Sequence, residues 1–160
     1  MYPPIAGIIL ALLASCALTP CWLPSQLCAL LCLSPALQIA ATIGQPAGTA
    51  IYFAVDYDAT TADIGGPIAD YFTAVNAALD AASTRYTAGV YGSGLTCRAM
   101  RKAGLATFTW LAGFTGFQQY KNFLPQADIV QLTPERAIVA GLTIDDDIAQ
   151  KPAFGAFRLP

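Results

Sequence analysis

Two carboxylates stand two residues apart at the end of an apolar run, Ile51–Asp58 (IYFAVDYD). Paired acids can do proton chemistry: one carboxyl protonates a leaving oxygen while the other stabilises or attacks the carbon left behind. In a strand, residues i and i+2 point to one side. Tyr52, Ala54, Asp56 and Asp58 therefore share one face, and Ile51, Phe53, Val55 and Tyr57 the other. The second face is apolar and calls for a helix against it. The first ends in two acids at the C-terminal tip, where α/β barrels and open α/β sheets carry their chemistry. A second acidic group, Asp145-Asp146-Asp147, lies near the C-terminus. Clustered carboxylates suit Ca²⁺ or Mg²⁺, but strand alternation lets only Asp145 and Asp147 converge. A solvated turn with one acid at a site is the better reading, and no metal or cofactor is implied.

The composition excludes several chemistries. The chain has no His, which removes Ser-His-Asp and Cys-His catalysis, His-ligated zinc and His-based pH sensing. Its net charge is −2 and its eight Lys and Arg are scattered, so no nucleic-acid-binding stripe exists. Charged residues make up 11% of the chain, against roughly 25% in a typical globular protein. The deficit lies at one end: Asp56 is the first charged residue. Four cysteines, Cys16, Cys21, Cys28 and Cys32, sit in this uncharged part without metal-site spacing. Cys97 stands apart. A helix N-terminus would lower its thiol pKa, while simple packing is the blander reading.

The elements that must position the acids follow from periodicity. Ile68, Tyr71, Phe72, Val75 and Leu79 recur at helical spacing, giving an amphipathic helix over 67–83 with Pro67 in its first turn. Ala88–Tyr91 reads as a strand, the helix that follows runs from about Leu95 to Ala103, and Thr107–Ala112 is the next strand. Phe117–Phe123 reads as a short helix and Ala127–Leu132 as a further strand, with strand pieces at 138–139 and 142–145. Strands joined by helices imply parallel pairing. The step from Gln131 to Asp145 is too short for a crossover helix, so a hairpin or bare connection is expected there. Gly92-Ser93-Gly94 between strand and helix resembles a phosphate-cradling turn, but the third glycine of GxGxxG is absent and Cys97 stands in its place.

The first 43 residues form a separate apolar segment in this reading. Ile5–Thr19 is short for a membrane span and fits the core of a signal peptide better, although no basic residue precedes it. Leu13-Ala14-Ser15-Cys16 resembles a lipoprotein signal box. A second apolar run, Gln26–Ile43, broken by Pro35, leaves a membrane hairpin as a further option, and a helix is expected over about Pro35–Ile43. Gln45-Pro46-Ala47-Gly48 is turn chemistry that closes this segment.

Seven blocks then fall in order: Gly44–Ala59 (GQPAGTAIYFAVDYDA), Tyr71–Ala74, GVYGSG with Cys97, Ala103–Ala112, Ala127–Leu132, Asp145–Ala149 and Phe154–Phe157. Together they resemble the glycoside-hydrolase-like domain of uncharacterised function found in actinobacterial and fungal secreted proteins, itself similar to the family 25 lysozymes. The resemblance spans about 44–157. It implies an α/β fold: a partial TIM-type barrel over 44–160, with β/α units followed by bare strands and acids at the C-terminal mouth. It implies catalytic roles for Asp56, for Asp58 as proton donor, and for Asp145 and Asp147. Tyr52, Tyr91, Ser93, Trp110 and Gln131 are the candidates for substrate binding. The implied substrate is cell-wall or related polysaccharide outside the cytoplasm, at the cell surface or in the medium.

Departures from the pattern set up the alternatives. Asp58 stands where lysozymes carry Glu, and about three initial strands of an eight-stranded barrel are missing along with their acid. A non-catalytic glycan-binding or cell-surface module, or an inactive truncated barrel, are the rival readings. Open sheet edges invite self-association, and residues 5–43 invite membrane association. For single residues the blander roles are a loop cap at Asp58, a cross-sheet hydrogen bond at Asp56, a tight loop at Ser93 and core packing at Trp110.

Overall fold

A computed structural model describes residues 12–14, 25–82, 85–134, 136–139 and 142–157. The fold is mixed α/β. A six-stranded sheet has the order β1 (Leu12–Ala14), β2 (Ala50–Ala54), β3 (Thr87–Gly92), β4 (Phe108–Leu111), β5 (Ile129–Gln131), β8 (Asp147–Ala149). Pairings from β1 to β5 are parallel, and β8 runs antiparallel to β5. Between β5 and β8 the chain makes a separate antiparallel pair, β6 (Arg136–Val139) with β7 (Leu142–Ile144). The short step from Gln131 to Asp145 is thus bridged by a hairpin, as strand geometry requires.

The alternation in β2 sorts the core. Ile51, Phe53 and Val55 join Ala88, Val90, Leu111 and Val130 beneath the helices, with Phe72, Val75, Leu79, Cys97 and Met100 packed onto them. Among the described residues, the opposite face carries Tyr52, Tyr91, Trp110 and Ile129 and no helix. Phe154 covers its lower end: the Phe154 carbonyl accepts from the Tyr52 hydroxyl at 2.5 Å, and the Gly155 carbonyl accepts from Ala50 N at 2.8 Å. Gly155 has φ +72, and a Cβ there would stand 2.3 Å from Ala50 Cβ, so only glycine lets the return strap lie this close.

Helix α1 (Ser25–Thr42) corrects the expected helix over Pro35–Ile43; it begins well upstream and runs through Pro35. Leu33, Ala36 and Ala40 are buried in the main core. These residues, ahead of residue 44, share their core with β2 and α3. Residues Leu12–Ala14, expected within a signal-like run, pair with Ile51–Phe53. Ser15 and Cys16 of the lipoprotein-like box, and Cys21, lie outside the described residues. Among the described residues no helix is long and apolar enough to cross a membrane. The helix expected over 67–83 is α3 (Ala69–Ala81), reached through a short turn of helix α2 (Thr61–Asp63) and a wide π-type turn, Ile64–Ile68, with Pro67 inside it. The helix expected over Phe117–Phe123 is only α5 (Tyr120–Phe123), continued by one 3₁₀ turn, Leu124–Gln126.

Gly89 shows how the helix-free face is fitted. A Cβ there would come 2.6 Å from the Tyr52 ring, whose hydroxyl is already tied down. Gly89→Ala should cost about 1–3 kcal/mol by overpacking, read as a lowered urea midpoint at unchanged slope.

Candidate functional site

The helix-free face ends, at the C-terminal rim of the parallel strands, in a connected set of polar groups. Strand pairing sets it up: Tyr91 lies opposite Trp110, and Gln131 lies opposite Asp147. Because β8 is antiparallel, its first residue, Asp147, meets the last residue of β5. Trp110 Nε1 donates to Asp147 Oδ1 at 2.8 Å. The Tyr91 hydroxyl donates to Gln131 Oε1 at 2.9 Å, and Gly113 N donates to the same oxygen at 2.9 Å. Two donors fix that end of the amide as oxygen. Its Nε2 is thereby turned to donate to Asp145 Oδ2 at 2.6 Å.

The electrostatics of this rim are those of crowded acids. Desolvation against its neighbours at the rim, then the charges of Asp145 and Asp146, push the Asp147 carboxyl up to about 6 against the lowering effect of the Trp110 bond, although the side chain reaches solvent. Asp147 thus holds a proton in a range where ordinary carboxyls have lost theirs. Tyr91 is also raised, first by burial and then by Asp56, Asp145 and Asp147, so its hydroxyl stays a donor. Asp56 is exposed just beyond β2, within electrostatic reach of Tyr91.

Asp58 stands elsewhere. The strand ends at Ala54, so the expected shared face does not extend to both acids. Asp58 Oδ1 accepts from Gln118 N at 2.8 Å, and Gln118 Nε2 donates to the Ala59 carbonyl. This is the loop tie that formed the blander reading. The acids gathered around Tyr91 and Trp110 are Asp56, Asp145 and Asp147.

The other candidates divide. Trp110 is half-buried and makes edge-to-face contacts with Tyr52 and Tyr91, centroids 5.7 and 5.6 Å away. Tyr52 is fully buried and floors the rim rather than opening onto it. Ser93 is also fully buried. Its side chain caps α4 (Gly94–Lys102) by accepting from Thr96 N at 3.2 Å, which corrects the expectation that it meets substrate. Ser93→Ala should cost about 1 kcal/mol of stability by chemical denaturation, as N-cap losses do. Cys97 is buried at the first turn of α4, where burial pushes its thiol up to about 12; an activated thiol is excluded. Among the described residues, no group of three or more metal-ligating side chains converges.

Phe114 and Phe117 carry a signal that strand-based reading passed over. They stack at 5.0 Å with planes 28° apart in the loop after β4, and Phe117 packs against the Ala54–Tyr91–Ala112 cluster. An aromatic directly after a strand's end, between Gly113 and Gly116, is the pattern that points to them.

Comparison with known proteins gives this geometry its setting. The family model of the Rv2525c-like, glycoside hydrolase-like domain matches residues 34–149. The chain belongs to this family. The Rv2525c-like match starts inside α1, in agreement with the burial of Leu33, Ala36 and Ala40. The chain is similar to two Bacillus subtilis (strain 168) proteins, the uncharacterized protein YbfG (36% identical over 88 residues, 51% of this chain) and the uncharacterized protein FadG (37% over 71 residues, 43% of this chain). Each match covers 12% of the relative's own length. The fold is similar to that of the Mycobacterium tuberculosis Tat-secreted protein Rv2525c, solved in complex with L-tartrate (TM-score 0.69, 20% identity) and with HEPES (TM-score 0.64, 21% identity). Both comparisons cover 84% of this chain and 63% of that one.

Proposed function

We propose that this chain carries the later part of a TIM-type barrel and acts on cell-wall or related polysaccharide outside the cytoplasm. Membership of a glycoside hydrolase-like family and the likeness to a Tat-secreted protein support that direction. The observation that carries it is the pairing at the rim. Asp147 keeps its proton to about pH 6 beside Asp145, whose carboxylate accepts the Gln131 amide. A held proton next to an accepting carboxylate is what glycoside cleavage asks of two acids. In this assignment Asp147 protonates the leaving oxygen, Asp145 or Asp56 stabilises the sugar cation, and Tyr91, Trp110 and Gln131 hold the geometry.

A second reading, a glycan-binding module without turnover, is favoured by one fact: Asp58, where lysozymes carry their donor, is tied to the backbone of Gln118. One experiment tests both. The full chain is incubated with insoluble cell-wall polysaccharide, and bound protein and released reducing ends are measured across the acid-to-neutral range. The expected result is release that falls as the pH rises through about 6, where the donor loses its proton. Pull-down without release would select the binding module. Neither pull-down nor release would end the polysaccharide assignment.

A further inference from the structure

We infer that the glycan taken at this rim is a hexosamine polymer with free amino groups, one ring lying on the open face of Phe114 and its ammonium directed toward Asp56, Asp145 and Asp147. The inference rests on the polysaccharide reading above and names its substrate class.

The seat is apolar. Phe114 is 53% exposed, the most open of the large hydrophobic side chains among the described residues. One face of its ring is taken by Phe117, which is itself held by Ala54, Tyr91 and Ala112. The preceding residue is pinned, since Gly113 N donates to Gln131 Oε1. A Cβ at Gly113 would stand 2.7 Å from Thr133 Cγ2 and 3.0 Å from the Gln131 carbonyl, so glycine is what lets this loop close onto β5. Phe114 is thereby a supported shelf on the same hydrogen-bonded network as Asp145. Aromatic shelves take the apolar face of a sugar ring and attract a cation carried by it.

Charge selects the kind of sugar. Asp56, Asp145 and Asp147 make no ion pair among the described residues. The cations with described partners are spent elsewhere. Arg101 and Lys151 both engage Asp128 on the strand before the rim, and Arg98 donates to Gln119. An anionic polymer would be repelled here, and an N-acetylated sugar would bring the carboxylates no cation beyond the neutral donors Gln131 and Trp110. An ammonium complements them, and the open shelf admits its ring.

The test is titration calorimetry of the full chain with three tetrasaccharides: glucosamine, N-acetylglucosamine and galacturonate. The glucosamine tetramer should bind at least about tenfold more tightly than the N-acetylated one, the galacturonate should not bind, and added salt should erode the preference. Phe114→Ala, at an exposed position, should weaken the glucosamine tetramer about threefold to fivefold with an unchanged circular dichroism spectrum. Asp145→Asn should narrow the gap between the two amino sugars. If the N-acetylated tetramer binds as well or better, the amine selection is overturned while the polysaccharide reading stands. If Phe114→Ala binds like wild type, the shelf is overturned. If no tetramer binds, the amino-sugar inference falls, and the pull-down on insoluble cell-wall polysaccharide decides the polysaccharide reading separately.

Discussion

Asp147→Asn should lower polysaccharide cleavage by about a hundredfold to ten-thousandfold, the span covered by loss of a general acid, while making the protein more stable above pH 6. The two effects share one cause. In the folded chain the Asp147 carboxyl titrates at about 6 instead of its ordinary 3.8, because desolvation at the rim and the charges of Asp145 and Asp146 oppose its ionisation. The folded state therefore holds the proton more tightly than the unfolded state. Its stability is full below about pH 4 and declines as the pH rises through about 6, where ionisation opposes folding. Asparagine cannot ionise, so the decline is removed, and its side-chain oxygen still accepts from Trp110 Nε1. Thermal melts of both proteins should coincide in acid and separate at neutral pH, with the variant higher. A variant that loses both activity and stability would mark Asp147 as a structural residue instead.

Asp128→Ala should destabilise the fold by about 3 kcal/mol, at the lower end of what breaking a buried ion pair costs. The Asp128 side chain is 6% exposed and lies on the helix side of β5. Its Oδ2 accepts from Thr109 N at 2.8 Å, from Thr109 Oγ1 and from Arg101, and its Oδ1 accepts from Lys151 at 3.0 Å. Arg101 and Lys151 are partly open to water (29% and 41%) and would regain hydration. The buried Thr109 N–H would not, and its stranding sets the cost. Asp128→Asn keeps one acceptor for that N–H and should lose clearly less. A lowered denaturant midpoint at unchanged slope, in that order, is the expected result. Thr109 and Asp128 directly precede Trp110 and Ile129 along β4 and β5, which pair with each other. A loosened anchor should therefore also disturb the strand pair that presents Trp110 and Gln131.

The strands were legible because their chemistry is local. IYFAV, TFTWLA and ADIVQL are strand formers with turn signals at both ends, and the faces of β2 follow from alternation alone. The charge-free stretch before β2 is not: a helix as apolar as α1 reads like a membrane segment until its partner, α3, is known. In the site, the Asp56-x-Asp58 pattern is a local one and does not show that the strand stops at Ala54. Asp147 is among the acids the family resemblance implies, but its seat opposite Gln131 follows from β8's antiparallel register against β5, a non-local pairing that no spacing announces. Ser93 was misread for the opposite reason. A serine between two glycines looks like a ligand loop, whereas strand-to-helix junctions need that hydroxyl as a cap.

The reversal of β8 sets the β6–β7 pair in a sheet of its own, outside the ladder that holds Asp147. Asp147 is levelled by its ladder with Gln131, and the Trp110 indole clasps it from the adjoining β4. The hairpin in between carries neither of those constraints. Changes to the β6–β7 ladder should therefore leave the seat of the Asp147 carboxyl in place.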